Sequence, residues 1–302
     1  CRKSLPWPRN LPAPDPKMQR QSWVLGFAMS IGMVFLAGCL AESPTVSPFA
    51  QVQAGEYVVG ATNHLVNPKR KISIAPFQIA IHEVTNADFQ AFVTATGYKT
   101  FAEKRQDAYV FFPGLAEFRW KEDSTAYWRF PNGVTDGGIE AKMNHPVTCI
   151  CFLDALAYCE WAGVRLPTLD EWEVAARAGS RSHYFWGNDR KPLKDYANVW
   201  HGKDHLVADT ADPWLRTAPV GTYAANPWGL FDVYGNIFEF CVDRPSYWAE
   251  DENFACARGG SWWCSFASCS FFNSTDIGKV RKVASFSNLG FRVVVDSLVG
   301  GN

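Results

Sequence analysis

Two cysteines near the C-terminal end of the chain have the type and spacing of a metal or redox site. Cys264 and Cys269 are separated by four residues and follow the run Arg258-Gly259-Gly260-Ser261-Trp262-Trp263. A thiolate is both a nucleophile and a soft ligand, so this pair can chelate a soft monovalent metal ion or cycle as a dithiol. Spacing alone equally allows two small buried residues or a structural disulfide. Ser261 can donate a hydrogen bond to the thiols or simply close a turn.

A second candidate set consists of side chains with hard oxygen atoms. Asn198, Asp212, Asn236 and Glu239 lie in the C-terminal half of the chain, separated by loops. Calcium accepts several such oxygens, backbone carbonyls included, in flexible geometry. Each residue taken singly can instead cap its own turn. As a group they favour a metal.

The elements that must position these residues are short. One helix is predicted from Glu83, with Thr85 or Asn86 as cap and a stop at Gly97, and a second runs from Phe152 to Gly163. A third short helix follows the Thr168 cap and carries Glu171 in its first turn. Strands are predicted at 56–59, 77–81, 146–150 and 290–295. Segments 100–145 and 179–235 have weak periodicity, and loops of that length are usually functional or ordered by a ligand.

The other cysteines are interpreted as structural. Cys149 and Cys151 alternate along the strand predicted at 146–150, so they should face opposite sides of it. Seven cysteines follow Cys39, and an odd number in an exported protein leaves at least one thiol free or paired outside the chain.

The first fifty residues have the order of an export signal. A proline-rich stretch, 1–17, precedes Met18 and is interpreted as an upstream leader. Residues 18–38 then run from a basic start through an apolar segment to Leu36-Ala37-Gly38, and Cys39 has the form of a lipoprotein acceptor. A noncleaved anchor is the alternative, although the apolar run is short for a bilayer span. We expect a tether over 39–50 and a protein anchored by lipid in the bacterial cell envelope, on the outer membrane where the organism has one.

The remaining residues, 51–297, are enough for one large hydrophobic core. Their composition limits the classes of function that are possible. Beyond residue 38 the chain has 24 basic and 29 acidic residues, a net charge of −5, and no basic run. This excludes a nucleic-acid partner. Abundant aromatic residues, with 23 glycines and 18 prolines, favour a single loop-rich α+β domain, which we expect to be a monomer.

From Gly55 to Val295 the sequence resembles the sulfatase-modifying factor family and, within it, the formylglycine-generating enzymes. Matching blocks occur in order: Glu83-Val84-Thr85-Asn86, Ala157-Tyr158-Cys159, Trp161-Ala162-Gly163, Arg165-Leu166-Pro167-Thr168, Glu171-Trp172-Glu173, Thr217-Ala218-Pro219-Val220, Gly235-Asn236, Arg258-Gly259-Gly260-Ser261-Trp262 and Asn288-Leu289-Gly290-Phe291-Arg292. The cysteine pair, Gly97-Tyr98, and Glu103-Lys104 with Asp107 point to the narrower group.

The resemblance implies a C-type-lectin-like fold and an oxygen-dependent copper oxidase. Such an enzyme converts the cysteine of a Cys-x-Pro-x-Arg motif in an exported sulfatase-type polypeptide to formylglycine. Cys264 and Cys269 would bind Cu(I), with Ser261 beside them. The implied substrate groove consists of Asp107, Ala102, Ser285 and Asn288. Asp107 would grip the substrate arginine, because a carboxylate and a guanidinium pair in a fork geometry; on its own it could be an ordinary surface acid.

The resemblance also implies two calcium sites. The first would use Asn198, Val199, Asp212 and Trp214, and the second would use Tyr234, Gly235, Asn236 and Glu239. A disulfide that some members form at Cys159 is absent here, because its partner position holds Val293.

Two departures from the family pattern leave other functions open. Ser265 replaces a basic or histidine residue common after the first thiol, and Ser270-Phe271-Phe272-Asn273-Ser274 replaces an arginine-rich stretch. The main alternative is a noncatalytic envelope lipoprotein of the same fold that binds protein or glycan. An iron-dependent sulfoxide synthase is disfavoured, because the six histidines do not form a convincing facial triad: His64, His82, His145, His183, His201 and His205.

Overall fold

The computed structural model describes residues 48–207 and 213–296. The predicted leader and signal peptide, Cys39 and the calcium candidate Asp212 lie outside these ranges. Across the two ranges, every helix is too short or too polar to cross a membrane.

A three-stranded antiparallel sheet joins the two ends of the described chain. Strand β4 (Phe77–Ala80) lies between β1 (Phe49–Val52) and β11 (Val294–Asp296). Strand β1 therefore belongs to the domain from Phe49, two residues before the predicted start at 51, because its whole length pairs with β4. The predicted strand at 77–81 is confirmed as β4.

A four-stranded sheet leads directly to the cysteine pair. Its spatial order is β10 (Leu289–Gly290), β7 (Phe238–Cys241), β8 (Phe254–Arg258) and β9 (Gly278–Arg281). Strands β10 and β7 are parallel, and the other neighbours are antiparallel. The predicted terminal strand at 290–295 is thus divided between two sheets, as β10 and β11.

Two further pairs of strands are antiparallel. Strand β2 (Gly55–Val59), predicted at 56–59, pairs with β3 (Arg70–Ile74), and β5 (Ala108–Val110) pairs with β6 (Lys121–Asp123). Strands β5 and β6 lie within 100–145, where the weak periodicity of the sequence predicts loops.

The three predicted helices are confirmed. Helix α1 spans Asn86–Thr96, α3 spans Phe152–Ala162 and α4 spans Leu169–Arg177. Thr85 and Thr168 accept the predicted capping hydrogen bonds, and Gly97 and Gly163 end α1 and α3 in the left-handed conformation that glycine tolerates. Short helices α2 (Phe101–Arg105) and α5 (Leu193–Tyr196) complete the set in the described ranges.

The strand predicted at 146–150 is wrong. Val147 N donates to Val84 O, whereas Cys149 N donates to Phe286 O, so successive residues bond to different parts of the chain and form no continuous ladder. Cys149 has a φ of 53°, and Cys151 is the N-cap of α3. The two thiols therefore do not alternate on a strand, although both are buried. All seven described cysteines are free thiols, Cys159 among them.

The fold class is confirmed as α+β and rich in loops, with 19% helix and 21% strand. Aromatic side chains from many loops fill the core. Trp128, Trp172, Trp262, Tyr158 and Tyr234 are among its largest fully buried members. Packing between these aromatic side chains holds the loops in place, because few backbone hydrogen bonds between strands are available to do so.

Candidate active site

The cysteine pair follows a turn that only glycine fits. Gly259 and Gly260 have φ values of 88° and 74°. A Cβ on Gly260 would lie 2.6 Å from Phe272 N, and one on Gly259 would lie 3.0 Å from Val233 O. This close approach brings the chain from the end of β8 into the core at Ser261.

The two thiols face each other inside the core. Their Sγ atoms are 2.6 Å apart, and Cys264 and Cys269 are 0% and 3% exposed. Burial raises the pKa of the Cys269 thiol well above its ordinary value, and the adjacent Cys264 adds to this effect. The pair is therefore a buried site with two sulfur donors, close enough to share one ligand.

Ser261 and Asn288 adjoin the pair as an ordered polar group. Ser261 Oγ lies 3.9 Å from Cys264 Sγ, and Asn288 Nδ2 donates to Ser261 Oγ over 2.8 Å. Both residues are at least 99% buried. Asn288 fixes the serine oxygen, so the serine proton is free to point toward the sulfur. The structure thus places Asn288, a groove candidate, against Ser261 and the two thiols.

The remaining groove candidates lie next to β5 and on helix α2. Tyr109 N donates to Ser285 O over 2.8 Å, and Ser287 N donates to Tyr109 O over 3.0 Å. These bonds place Ser285 next to the strand that begins one residue after Asp107. The Ser285 hydroxyl is buried and has no hydrogen-bond partner in the described part of the chain. Ala102 is 1% exposed on α2.

Asp107 already holds a guanidinium in this structure. Its Oδ2 accepts from Arg105 Nε over 2.6 Å and lies 2.5 Å from Arg105 Nη2, with 21% of the Asp107 side chain exposed. Asp107 therefore has the geometry to bind an arginine, but a substrate arginine would have to compete with Arg105.

An aromatic cluster surrounds Trp263, the residue before Cys264. Trp263 packs against Trp120 at 5.7 Å and Phe118 at 5.0 Å, measured between ring centroids. Trp262 packs against Trp120 at 6.5 Å, and Trp120 meets Phe286 edge to face at 5.4 Å. Charges and hydrogen bonds are stronger in such a water-poor environment.

His205 lies at the thiol site. In the sequence it is one of six histidines that form no convincing facial triad. It is fully buried; its Nδ1 lies 2.6 Å from Glu117 Oε1, and its Nε2 lies 2.7 Å from Trp263 O. The ring stacks between Trp200 and Trp263, and Trp200 N donates to Cys264 O over 2.9 Å. Both ring nitrogens therefore have a polar partner, and the histidine links Glu117 to the backbone of the thiol loop. No pattern around His205 in the sequence reveals this contact with Glu117, 88 residues away.

The calcium candidates Asn198 and Asn236 meet each other. Asn198 Nδ2 donates to Asn236 Oδ1 over 3.1 Å, and Asn236 N donates to Asn198 O over 2.8 Å. Gly235 is close enough to Asn198 that a Cβ would lie 2.3 Å from its carbonyl oxygen. Asn198 Oδ1 is buried without a partner among the described residues, which fits an oxygen ligand that awaits a cation. Val199 follows Asn198 directly and is buried, whereas Trp214 packs against His145, and Asp212 lies outside the described ranges.

Glu239 has a different role from the one predicted. Its carboxylate receives two hydrogen bonds of 2.6 Å from Arg292, and Trp172 Nε1 donates to it over 2.6 Å. All of these atoms are buried. Because a neighbouring guanidinium both neutralises the carboxylate and repels a cation, Glu239 does not fit a calcium ligand. The second predicted site, with Tyr234 and Gly235, therefore retains only Asn236 as a side-chain donor.

The chain is similar in sequence to a known protein family. Residues 40–297 match the sulfatase-modifying factor enzyme 1-like domain. The formylglycine-generating enzyme of Mus musculus is 34% identical over 281 residues, covering 82% of this chain and 74% of that protein. The inactive C-alpha-formylglycine-generating enzyme 2 of Bos taurus is 33% identical over 286 residues, covering 89% of each chain.

The fold recurs in a solved structure. PvdO from Pseudomonas aeruginosa superposes with a TM-score of 0.61 at 22% identity, over 82% of this chain and 94% of that one. At this identity the likeness shows the fold alone, which is α+β and C-type-lectin-like. With its match over 40–297 and relatives above 30% identity across most of its length, the chain belongs to the sulfatase-modifying factor enzyme 1-like family.

Proposed function

We propose that this protein is an oxidoreductase that generates formylglycine from the cysteine of a Cys-x-Pro-x-Arg motif in sulfatase-type polypeptides. The observation that carries the proposal is the buried Cys264–Cys269 pair, 2.6 Å between sulfurs, with Ser261 and Asn288 beside it. Relatives named formylglycine-generating enzyme match over most of the chain.

The donor set suits Cu(I). Two thiolates select a soft monovalent ion, and Cys264 and Cys269 are the residues that would hold it. When bound, Cu(I) would supply an open coordination position for the substrate sulfur and the redox chemistry with dioxygen. The aromatic cluster around Trp263 would exclude water, which strengthens polar interactions inside the site.

The chain's own residues would orient the substrate. Asn288 holds Ser261 Oγ, which leaves the serine proton available at the sulfur beside it. Asp107 would bind the substrate arginine after displacing Arg105 or through its second oxygen. Replacing Arg105 by the substrate arginine at Asp107 would cost little, because surface ion pairs contribute only about 0–1 kcal/mol.

The test is a reaction with a defined peptide. The purified chain, supplied with copper, dioxygen, a thiol reductant and a Cys-x-Pro-x-Arg peptide, should give the mass loss of aldehyde formation. Cys269→Ser should abolish turnover, and Cys264→Ser should do the same or leave a trace. Cys159→Ala, which removes another buried thiol, serves as the matched control and should retain turnover.

A second candidate is the noncatalytic envelope lipoprotein. It is favoured by the serine at Ser265, by the altered segment 270–274 and by the similarity to a bovine relative named inactive. An unmodified peptide, with no binding of a cuprous ion by a protein that still folds, would establish this alternative.

Two further proposals concern the setting of the domain. We propose that calcium orders the loop at Asn198, whose buried Oδ1 has no partner in the described chain. We also propose that lipidation at Cys39 anchors the protein in the cell envelope. Both are independent of turnover at the thiols.

A further inference from the structure

A cavity of about 400 Å³ opens between the loops that carry Asn132, Trp214 and Ser287. It falls within the range of small-ligand sites, about 300–1,000 Å³. Ser287 is one of its lining residues, and the next residue, Asn288, holds Ser261 beside the thiols. The cavity and the thiol site therefore share the turn at 287–288.

Three buried polar atoms of the lining have no hydrogen-bond partner in the described residues. These are Asn86 Oδ1, Asn132 Oδ1 and Ser287 Oγ. Their residues are 3%, 5% and 2% exposed, so bulk water does not satisfy them. Buried polar groups without partners are costly, and each is a position that a ligand can satisfy.

The donor and acceptor types point to one class of ligand. Asn86 Nδ2 donates to Lys142 O over 2.8 Å, which leaves its oxygen to accept. Two amide oxygens that need N–H donors, next to a hydroxyl and Arg216 Nε that can donate to carbonyls, complement an extended main chain. Apolar walls from Pro131, Pro146, Pro219, Trp214 and Leu215 suit its side chains.

We propose that this cavity binds an extended segment of the client polypeptide, on one side of the residue that enters the thiol site. The inference rests on the proposed function and deepens it, because recognition would extend beyond the five-residue motif. Lys142 and Arg216 line the cavity, and among the residues described no acidic side chain does. Arg216 Nη1 is paired with Asp136 at 2.5 Å, so the preference for an acidic residue in that segment rests on Lys142.

Calorimetry on the full chain tests the inference without turnover. The probes are a five-residue peptide, Ser-x-Pro-x-Arg, and versions extended by four residues toward either end, each with serine in place of the reactive cysteine. The wild-type chain should bind one extended peptide at least fivefold more tightly than the short one. Ser287→Ala and Asn132→Leu should each weaken binding of the extended peptide by about fivefold, which corresponds to one neutral hydrogen bond. Neither variant should change the affinity for the short peptide. Asn253→Leu, at an exposed site, is the matched control and should bind like the wild type.

The outcomes separate this inference from the proposed function. Equal binding of short and extended peptides, or variants that weaken both alike, would overturn it even if the enzyme turns over. If the cysteine peptide is never converted but an extended peptide still binds in a way that depends on Asn132, the cavity is upheld as a polypeptide site and the oxidase proposal fails.

Discussion

The imidazole of His205 lies face to face with the indole of Trp263, with 4.2 Å between ring centroids and 16° between planes. Its Nε2 donates to the carbonyl of the same tryptophan over 2.7 Å, and Glu117 holds the other nitrogen. Trp263 directly precedes Cys264. The histidine therefore fixes the backbone that sets the position of the first thiol.

Replacing this histidine should loosen the thiol loop. We expect His205→Gln to lower the free energy of unfolding by about 1–3 kcal/mol, because the buried carbonyl of Trp263 loses its partner. Cuprous-ion affinity should also fall, since the two sulfurs are no longer held together. Denaturant unfolding and a copper titration measure the two effects. His183→Gln, at an exposed position, should change neither; a wild-type copper affinity in His205→Gln would refute the positioning role.

The contact between Arg105 and Asp107 gives a prediction about substrate binding. Arg105→Gln should free the Asp107 carboxylate and lower KM for an arginine-containing peptide by up to about fivefold, the worth of an exposed ion pair. Asp107→Asn should raise KM more than it lowers kcat, if the contact is equally strong in the ground and transition states. Steady-state kinetics separate the two parameters. An unchanged KM in both variants would remove Asp107 from the binding site.

Calcium should stabilise the native protein if Asn198 is a ligand. Binding to the folded state alone raises the melting temperature by mass action, and a strong chelator lowers it. Asn198→Ala should abolish the calcium response. Glu239→Gln should leave the calcium response unchanged but lower the stability of the protein, because the Glu239 carboxylate is the ion-pair partner of Arg292. A melting temperature insensitive to calcium and chelator would show that Asn198 is a plain structural residue.

Glu173 links stability to pH. Burial alone would raise its pKa, but the charges of Arg258 and Arg177 outweigh burial and hold the pKa below its ordinary value. Since the folded value lies below the unfolded one, this stabilisation is present at neutral pH and is lost as the pH falls through the folded value. Both oxygens are bound at 2.7 Å by buried arginines.

Glu173→Gln should therefore cost about 3–5 kcal/mol at pH 7, because it leaves buried arginines uncompensated. The difference from wild type should shrink at a pH below the ordinary glutamate value. Urea unfolding at both pH values measures it, with the exposed Glu160→Gln as control. A difference that does not vary with pH would contradict the linkage.

Lipidation at Cys39 is tested by fractionation. Cys39→Ser should release the protein from membranes or leave it unprocessed, because the acceptor thiol is gone. Membrane association and mass identical to wild type would contradict the anchor.

The sequence alone determined the features that depend on local order. Three helices could be predicted from their ends: Thr85 and Thr168 begin two of them, and Gly97 and Gly163 end two. This works because the hydrogen bonds that cap a helix are made within one turn of the chain. The motif blocks identified the family, the fold and the residues at the thiols, since Gly259-Gly260-Ser261 and the two cysteines are contiguous.

Only the tertiary structure decided which distant groups meet. Glu239 is a plausible calcium ligand by type, but folding places Arg292 against it, 53 residues away. Likewise, the sequence around Cys149 is typical of a strand, but Val147 N donates to Val84 O and Cys149 N donates to Phe286 O, on different segments. His205 and Glu117 carry no local signal at all. In a loop-rich fold, the partner of a side chain is chosen by packing between loops, and packing at long range leaves no periodicity in the chain.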